Sequence, residues 1–255
     1  MPTIRIAGRT IDYVRIGGAR PARPPLVFLH EGLGSIAMWR DFPARVAAAT
    51  GCDAVVYSRH GYGNSSPLDA PRAVEYMHDE ALDVLPRLLD ELGVARPVLV
   101  GHSDGASIAL LHAGASGRPV AGVVAMAPHV MVEDVSIAAI EAARVAYAST
   151  DLRDRLARHH ADVDSAFLGW NRVWLDPAFR AWNIESCLAG IRCPLLAIQG
   201  EDDAYGTMEQ LRRIAAHVPA AELVALAACR HSPHRDRPDA VEAASAAFVD
   251  RIAPP

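Results

Sequence analysis

The chain has 255 residues and a formal net charge of -5, and 51% of its residues are hydrophobic. This length fits one large domain with a sizeable core, and the sequence lacks the basic block that marks a nucleic-acid or anionic-membrane surface. All 25 basic residues are arginine. The lack of lysine excludes chemistry that needs a lysine Schiff base, a pyridoxal-phosphate anchor or a P-loop lysine.

The N-terminal segment and the cysteines predict a soluble, cytoplasmic protein without a metal site. Residues 1–6 lack the apolar core of a secretory signal, and no stretch reaches the roughly 18 apolar residues that a membrane-spanning helix needs. The cysteines are scattered and lack C-x-x-C spacing. This is typical of reduced thiols and not of a disulfide framework or a zinc site. The four are Cys52, Cys187, Cys193 and Cys229.

Apolar strands and amphipathic helices alternate along most of the chain, which is the pattern of a mostly parallel sheet covered on both faces. Residues 3–7 and 11–16 alternate with period two and predict an antiparallel hairpin at a sheet edge. Pro86 lies inside a helical pattern and predicts a kink there. The other predicted strands are 26–29, 53–57, 97–100, 120–126, 194–198 and 222–226, and the predicted helices are 36–49, 73–92, 106–113, 207–217 and 238–252.

Residues 131–189 break this alternation with helix-like stretches and no evident strand. We interpret this segment as a small helical cap on an α/β core formed by residues 1–130 and 190–255. Its aromatic side chains either pack the cap onto the core or line a pocket. Trp170 and Trp174 are the tryptophans that we assign to the pocket.

The pentapeptide Gly101-His102-Ser103-Asp104-Gly105 lies between a predicted strand and a predicted helix. A G-x-S-x-G sequence in this context is typical of a nucleophilic serine on a sharp strand-to-helix turn, where glycines permit close backbone contacts. A serine hydroxyl needs a general base, and the base needs a group that orients it. We therefore interpret Ser103 as a candidate nucleophile.

Candidates for the base and the acid follow two later strands, where the carboxyl ends of parallel strands gather reacting groups. Residues 201–203, Glu-Asp-Asp, come after the strand at 194–198, and His231 and His234 come after the strand at 222–226. The order of these residues alone does not show which acid and which histidine act together.

The chain resembles α/β-hydrolase-fold enzymes that carry a helical cap, over essentially its whole length. The resemblance rests on residues 30–34 (His-Glu-Gly-Leu-Gly), 59–65 (Arg-His-Gly-Tyr-Gly-Asn-Ser), 101–105, 200–203 (Gly-Glu-Asp-Asp) and 230–233 (Arg-His-Ser-Pro). It implies an α/β fold whose mostly parallel sheet has helices on both faces and a small helical cap insertion. It also implies the chain order nucleophile, acid, histidine.

In the family pattern the acid is the fourth residue of G-x-x-D, which selects Asp203, and the base precedes the last helix, which selects His231. Asp202 is a second candidate for the acid, and His234 is a second candidate for the base. Glu133 and Asp134 follow the preceding strand, and either could serve as a displaced acid.

The resemblance also implies an oxyanion hole formed by two backbone N–H groups, those of Asp104 and Gly32. The family turn usually begins His-Gly, whereas Glu31 follows His30 in this chain. Carboxylates at 31 and 104 would repel an anionic substrate unless Arg59 or Arg230 neutralises them. We therefore hypothesise a preference for neutral or cationic acyl substrates, with Glu31 in the substrate pocket.

These observations predict a serine hydrolase that cleaves a carboxylic ester, or a related acyl bond, through an acyl-enzyme. Its partner would be a small-molecule substrate, with no cofactor, metal, nucleic acid or membrane involved. A serine at 103 argues against haloalkane dehalogenase or epoxide hydrolase chemistry, whose relatives in this fold use a carboxylate there. The competing hypotheses are a non-catalytic receptor that binds a small ligand, and a cofactor-free peroxidase or acyltransferase with the same three residues.

Overall fold

The computed structural model of the protein describes residues 2–253. Eight strands form one sheet in the order β1-β2-β4-β3-β5-β6-β7-β8. The central strands are short, apolar and buried on both faces, as expected for strands covered by helices on each side. The strands are β1 (Thr3–Ile6), β2 (Arg9–Ile16), β3 (Leu26–Leu29), β4 (Ala54–Tyr57), β5 (Val98–His102), β6 (Gly122–Met126), β7 (Leu195–Gly200) and β8 (Glu222–Leu226).

The first two strands form the predicted antiparallel hairpin at one edge of the sheet, with Ile4 opposite Ile11. Strand β2 pairs antiparallel with β4, and all remaining pairs are parallel. The prediction of a mostly parallel α/β sheet is therefore confirmed. Because β3, β5, β6, β7 and β8 run in the same direction, the loops after them open at one edge of the sheet.

Helices cover both faces of this sheet. Alternate residues of β3 enter two different cores: Val27 packs with the helices on one face, and Phe28 with those on the other. The helices are α1 (Phe42–Thr50), α2 (Tyr76–Asp79), α3 (Leu85–Leu92), α4 (Asp104–Ala115), α5 (Asp134–Ser149), α6 (Leu152–Ala157), α7 (Val163–Trp174), α8 (Glu185–Leu188), α9 (Glu209–His217), α10 (Pro233–Asp236) and α11 (Pro238–Ile252).

The first predicted helix, 36–49, is divided in the structure. A 3-10 turn spans Ile36–Trp39, and Arg40 then adopts a φ of 56° before α1 begins at Phe42. Pro43 lies in the first turn of α1, where its missing N–H leaves no hydrogen bond unmade. The proline therefore favours a helix start at this point and separates the two segments.

The long helix predicted at 73–92 begins at Tyr76 and contains a π-helical segment at Glu80–Val84. Pro86 follows as the second residue of α3. A proline cannot donate a hydrogen bond to the carbonyl four residues earlier, and a π-helical segment shifts the bonding pattern just before it. The kink expected at Pro86 stays a prediction, and the structure has a π-helical segment directly before α3, the helix that contains this proline.

The segment between β6 and β7 contains α5 to α8 and a 3-10 turn at Pro177–Ala181. Within residues 131–189 the only β pairing is one isolated antiparallel bridge between Met131 and Asn183. The division into a core and a cap stays a prediction. Across residues 2–253, no helix combines the length and the apolar character needed to cross a bilayer.

Candidate active site

Ser103 lies on the turn between β5 and α4, with a φ of 52° and a ψ of -120°. This left-handed conformation is strained for a residue with a side chain, and it is tolerated where the surroundings enforce it. The two flanking glycines are required by close packing. A Cβ on Gly101 would lie 2.4 Å from the carbonyl oxygen of Gly105, and one on Gly105 would lie 2.0 Å from that of Leu29.

Three side chains from distant parts of the chain meet at this turn. Ser103 Oγ lies 2.9 Å from His231 Nε2, and His231 Nδ1 lies 2.8 Å from Asp203 Oδ2. A carboxylate only accepts, so His231 donates from Nδ1 and its Nε2 is free to accept the serine proton. This is the geometry of a nucleophile, a base and an orienting acid.

The carboxylate of Asp203 is held from both sides. Its Oδ1 accepts the backbone N–H of Tyr205 at 2.8 Å, and its Oδ2 accepts Gln199 Nε2 at 2.7 Å. Burial raises the pKa of Asp203, but the hydrogen bond and charge of His231 outweigh burial and lower the pKa overall. Asp203 is therefore the charged partner of His231. Sequence reasoning missed Gln199, whose signal is a polar residue near the carboxyl end of an otherwise apolar strand.

The remaining candidates for the acid and the base lie elsewhere. Asp202 is exposed to solvent, and Glu133 accepts hydrogen bonds from Thr207 and Gln210. Asp134 pairs with Arg180 on the surface. His234 is buried, with its ring 4.9 Å from that of Trp39.

The backbone N–H groups expected to form the oxyanion hole lie at the start of α4 and in the turn after β3. Asp104 is the first residue of α4, where backbone N–H groups lack partners within the helix. Gly32 is buried beside it, since a Cβ on Gly32 would lie 3.2 Å from Asp104 Oδ2. The structure thus brings Gly32 and Asp104 together. Their role as oxyanion donors stays a prediction.

The side chain of Asp104 points away from solvent into a buried polar network. Tyr76 donates its hydroxyl to Asp104 Oδ2 at 2.6 Å, and Trp174 Nε1 donates to that hydroxyl at 3.0 Å. The guanidinium of Arg59 lies 3.7 Å from the same carboxylate oxygen, with both side chains buried. Burial disfavours its charge, but Tyr62 and Asp104 more than compensate and raise the pKa of Arg59. Arg59 therefore balances the charge of Asp104.

Glu31 forms a second carboxylate–histidine pair, with Oε2 at 3.4 Å from His102 Nδ1. Arg235 approaches its other oxygen at 3.8 Å. Burial raises the pKa of Glu31, but His102 and Arg235 outweigh it and hold the pKa well below its ordinary value. Of the two arginines that the sequence suggested as neutralising cations, Arg59 lies beside Asp104, and Arg230 pairs instead with Asp236 at 2.8 Å. The cation beside Glu31 is Arg235, in the helix that follows, at 3.8 Å.

Beyond its contact with Glu31, His102 reaches the base through the main chain. Its Nε2 lies 2.6 Å from the backbone carbonyl oxygen of His231. A carbonyl only accepts hydrogen bonds, so Nε2 of His102 is the donor. His102 therefore holds the main chain of the residue whose ring contacts Ser103, and the Glu31 carboxylate lies near its other ring nitrogen.

A cavity of about 200 Å³ opens beside Ser103. Its walls are largely apolar and aromatic, with the predicted residues Glu31, Gly32, Trp170 and Trp174 among them. The wall also includes residues that sequence reasoning did not assign to the pocket, among them His129, Ile140 and Tyr205.

His129 and Tyr205 flank the ring of His231. The ring centroid of His231 lies 5.7 Å from that of His129 and 4.6 Å from that of Tyr205. Burial lowers the pKa of His129 to about 3, so this histidine is neutral.

No group of three or more His, Cys, Asp or Glu side chains within residues 2–253 could hold a metal ion.

A model of the alpha/beta hydrolase family matches residues 26–244, and the chain belongs to this family. Among curated proteins, proline iminopeptidase from Lactobacillus delbrueckii subsp. lactis is 32% identical over 105 residues, which are 41% of this chain and 36% of that protein. The chain thus matches about a third of the length of these relatives. The putative carbamate hydrolase RutD from Pseudomonas savastanoi pv. phaseolicola is 29% identical over 80% of this chain and 86% of its own length.

Among solved structures, the enol-lactonase from Burkholderia xenovorans LB400 superposes with a TM-score of 0.78. The match covers 97% of this chain and 99% of that protein at 21% identity. At this low identity, the superposition establishes the shared fold alone. The class is that of α/β-hydrolase-fold hydrolases.

Proposed function

We propose that this protein is a serine hydrolase that cleaves a carboxylic ester, or a related acyl bond, through an acyl-enzyme. The observation that carries the proposal is the continuous chain of contacts from Ser103 through His231 to Asp203, at the wall of a cavity. Each residue has the contact that its role needs: a nucleophile beside a base, and a base held by a buried carboxylate.

In the first half of the reaction, Ser103 Oγ attacks the carbonyl carbon of the ester, and its proton passes to His231 Nε2. The carbonyl oxygen gains negative charge, which the backbone N–H groups of Asp104 and Gly32 stabilise. The intermediate then collapses, and the C–O bond to the leaving group breaks as His231 returns the proton to the departing alkoxide. This leaves the acyl group on Ser103.

In the second half, a water molecule takes the place of the alcohol. His231 accepts a proton from the water as the water oxygen attacks the acyl carbon. The bond between that carbon and Ser103 Oγ then breaks as His231 gives the proton to Oγ. Asp203 holds the imidazole of His231 in the tautomer that both halves need and stabilises its cationic form. The products are the carboxylic acid and the free serine.

The cavity favours a small, mainly apolar acyl or alcohol group. Its volume of about 200 Å³ lies below the range of about 300–1,000 Å³ that drug-sized ligands occupy. Leu33, Ile140 and the indole rings provide apolar contacts. Short-chain and small aromatic esters are therefore the first substrates to test.

A second candidate within the same chemistry is cleavage of an amide or carbamate. The curated relatives are named as a proline iminopeptidase and a putative carbamate hydrolase, and both names refer to acyl–nitrogen bonds. In addition, the Glu31 carboxylate contributes to the cavity wall, where an amine could lie beside it. A p-nitroanilide series run beside the ester series separates the two bond types.

The deciding experiment is labelling with a fluorophosphonate probe, run with a p-nitrophenyl ester assay on the same preparations. Wild type should be labelled and should turn the ester over, and Ser103→Ala should lose both. Ser149→Ala is the matched control, because this serine is exposed on α5, where its hydroxyl contacts only the helix backbone. Absence of labelling in folded wild type would contradict the proposal and favour a ligand-binding role.

A further inference from the structure

The indole N–H of Trp170 is a hydrogen-bond donor without an acceptor. Trp170 lies in α7, is only 6% exposed, and contributes to the wall of the cavity beside Ser103. No side-chain or backbone acceptor within residues 2–253 takes this N–H. An indole nitrogen can only donate. The indole nitrogens of Trp39 and Trp182 also lack a partner but are sealed within the fold, whereas that of Trp170 is not sealed and its ring contributes to the cavity wall.

Trp174, one helical turn later, provides the contrast. It contributes to the same cavity wall, but its Nε1 already donates to the hydroxyl of Tyr76 at 3.0 Å. Of the two indoles in the cavity wall, only that of Trp170 therefore has its N–H available to a bound molecule.

The position of this N–H is set by Gly32. A Cβ on Gly32 would lie 2.2 Å from Trp170 Nε1 and 2.3 Å from its Cδ1. Any side chain at position 32 would thus displace the indole. The same point lies 3.2 Å from Asp104 Oδ2, so the indole N–H adjoins the two residues whose backbone N–H groups are proposed as oxyanion donors.

We propose that Trp170 is a catalytic residue whose indole N–H donates a third hydrogen bond to the substrate carbonyl oxygen as that oxygen becomes an oxyanion. This inference rests on the proposed function and adds a residue to it. Donors fixed in advance at the place where charge develops stabilise the transition state without reorganisation. The indole is held in place by burial in α7 and by its contact with Gly32.

The kinetic test uses three Trp→Phe variants with a p-nitrophenyl ester. Trp170→Phe keeps the aromatic packing and removes the donor, so kcat and kcat/KM should both fall by about 10 to 100-fold. Trp174→Phe alters the cavity wall without removing an available donor, so its effect should fall mainly on KM. Trp182→Phe removes another buried indole N–H, outside the cavity wall, and should leave the kinetics unchanged. A Trp170→Phe variant with wild-type kcat overturns the proposal, as does a change in KM alone.

A second measurement does not depend on turnover. The chain has 4 tryptophans, so a 15N–1H spectrum resolves their indole N–H signals, and Trp170→Phe assigns the one of interest. In Ser103→Ala, titration with phenyl acetate should move the Trp170 signal in the direction of hydrogen-bond formation and leave that of Trp182 in place. An unmoved Trp170 signal overturns the proposal. If wild type lacks esterase activity but the signal moves, the failure belongs to the proposed function and not to the donor.

Discussion

Two carboxylate–histidine pairs lie near Ser103, and they differ in what the second nitrogen of each histidine faces. In the pair of Asp203 and His231, the free nitrogen lies 2.9 Å from the serine hydroxyl. In the pair of Glu31 and His102, the second nitrogen is Nε2 of His102, which lies 2.6 Å from the backbone carbonyl oxygen of His231. The first arrangement can move a proton, because its acceptor nitrogen faces a hydroxyl. The second can only hold a main chain in place.

The comparison shows that residue type alone does not define a catalytic pair. Both carboxylates have a pKa below the ordinary value because a histidine contacts them. The side chain of Asp203 is enclosed and receives hydrogen bonds from Gln199 and Tyr205. Glu31 is partly exposed at the cavity wall, with Arg235 near it. The two carboxylates thus differ in burial and in the groups that contact them.

The largest expected effect comes from removing the charge of the first pair. Asp203→Asn should lower kcat by about 10⁴-fold, because an amide no longer holds the imidazole in the tautomer that accepts the serine proton. Steady-state kinetics with a p-nitrophenyl ester measures this. Asp202→Asn is the matched control, since this neighbouring carboxylate is exposed. Loss of activity in that variant alone would transfer the acid role to Asp202.

A smaller effect should follow from a substitution in the second pair, Glu31 and His102. Glu31→Gln removes the charge that orients His102, so the main chain of His231 is held less firmly, and we expect kcat to fall about 10-fold. KM for a neutral ester should change little, because that substrate does not need the carboxylate. The control is Glu201→Gln at an exposed position. A Glu31→Gln variant with unchanged kcat and raised KM would assign Glu31 to substrate binding instead.

The stability of the fold should fall as the pH drops, because each pair has a buried, neutral histidine beside it. The ring of His129 adjoins that of His231, and the ring of His234 adjoins that of His102 at 4.8 Å. Burial lowers the pKa of His129 to about 3 and that of His234 well below its ordinary value of 6.5. At a pH between these lowered pKa values and 6.5, the two histidines are protonated in the unfolded chain but not in the folded chain. The stability these residues contribute is therefore complete above about pH 6.5 and decreases as the pH falls below it.

Urea unfolding measured between pH 7 and pH 5 tests this expectation. The free energy of unfolding should decrease by up to about 1.4 kcal/mol per pH unit for each such histidine. His129→Gln should make the decrease less steep. Glu80 acts in the opposite direction. Burial raises its pKa, so its contribution to the free energy of unfolding increases as the pH falls, in a range nearer to pH 4.5. A stability that is constant over this range would show that the histidines are not buried as neutral groups.

The smallest effect is expected from the charge of the substrate. The sequence-based hypothesis of a preference for neutral or cationic acyl groups required unpaired carboxylates, and the structure places Arg59 and Arg235 beside them. A neutral ester and its carboxylate-bearing analogue should therefore differ by less than about tenfold in kcat/KM, which corresponds to 1.4 kcal/mol. A larger preference for the neutral ester would show that the charge of Glu31 acts on the substrate despite Arg235.

Local patterns in the sequence determined much of this protein. Strands of apolar, β-branched residues and helices with one apolar face depend on residues near in the chain, so the alternation that predicts the sheet is visible without a structure. The turn around Ser103 is local in the same sense, because its glycines and the flanking strand and helix are contiguous. Details within helices were harder, as the interruptions at Arg40 and before Pro86 show.

Local patterns do not show which side chains meet: the family motif selects Asp203 and His231, and the tertiary structure brings them to Ser103. Ser103 and His231 are 128 positions apart, and their contact depends on the order of the strands and on where each loop leaves the sheet. Local sequence does not distinguish the two adjacent aspartates; only the family motif selects Asp203, and in the structure it is Asp203 that faces His231. Likewise, the partner of Glu31 is Arg235 and not Arg230, and the free indole N–H belongs to Trp170 and not Trp174. Such choices follow from the direction of a side chain in the packed fold, and a one-dimensional pattern does not encode that direction.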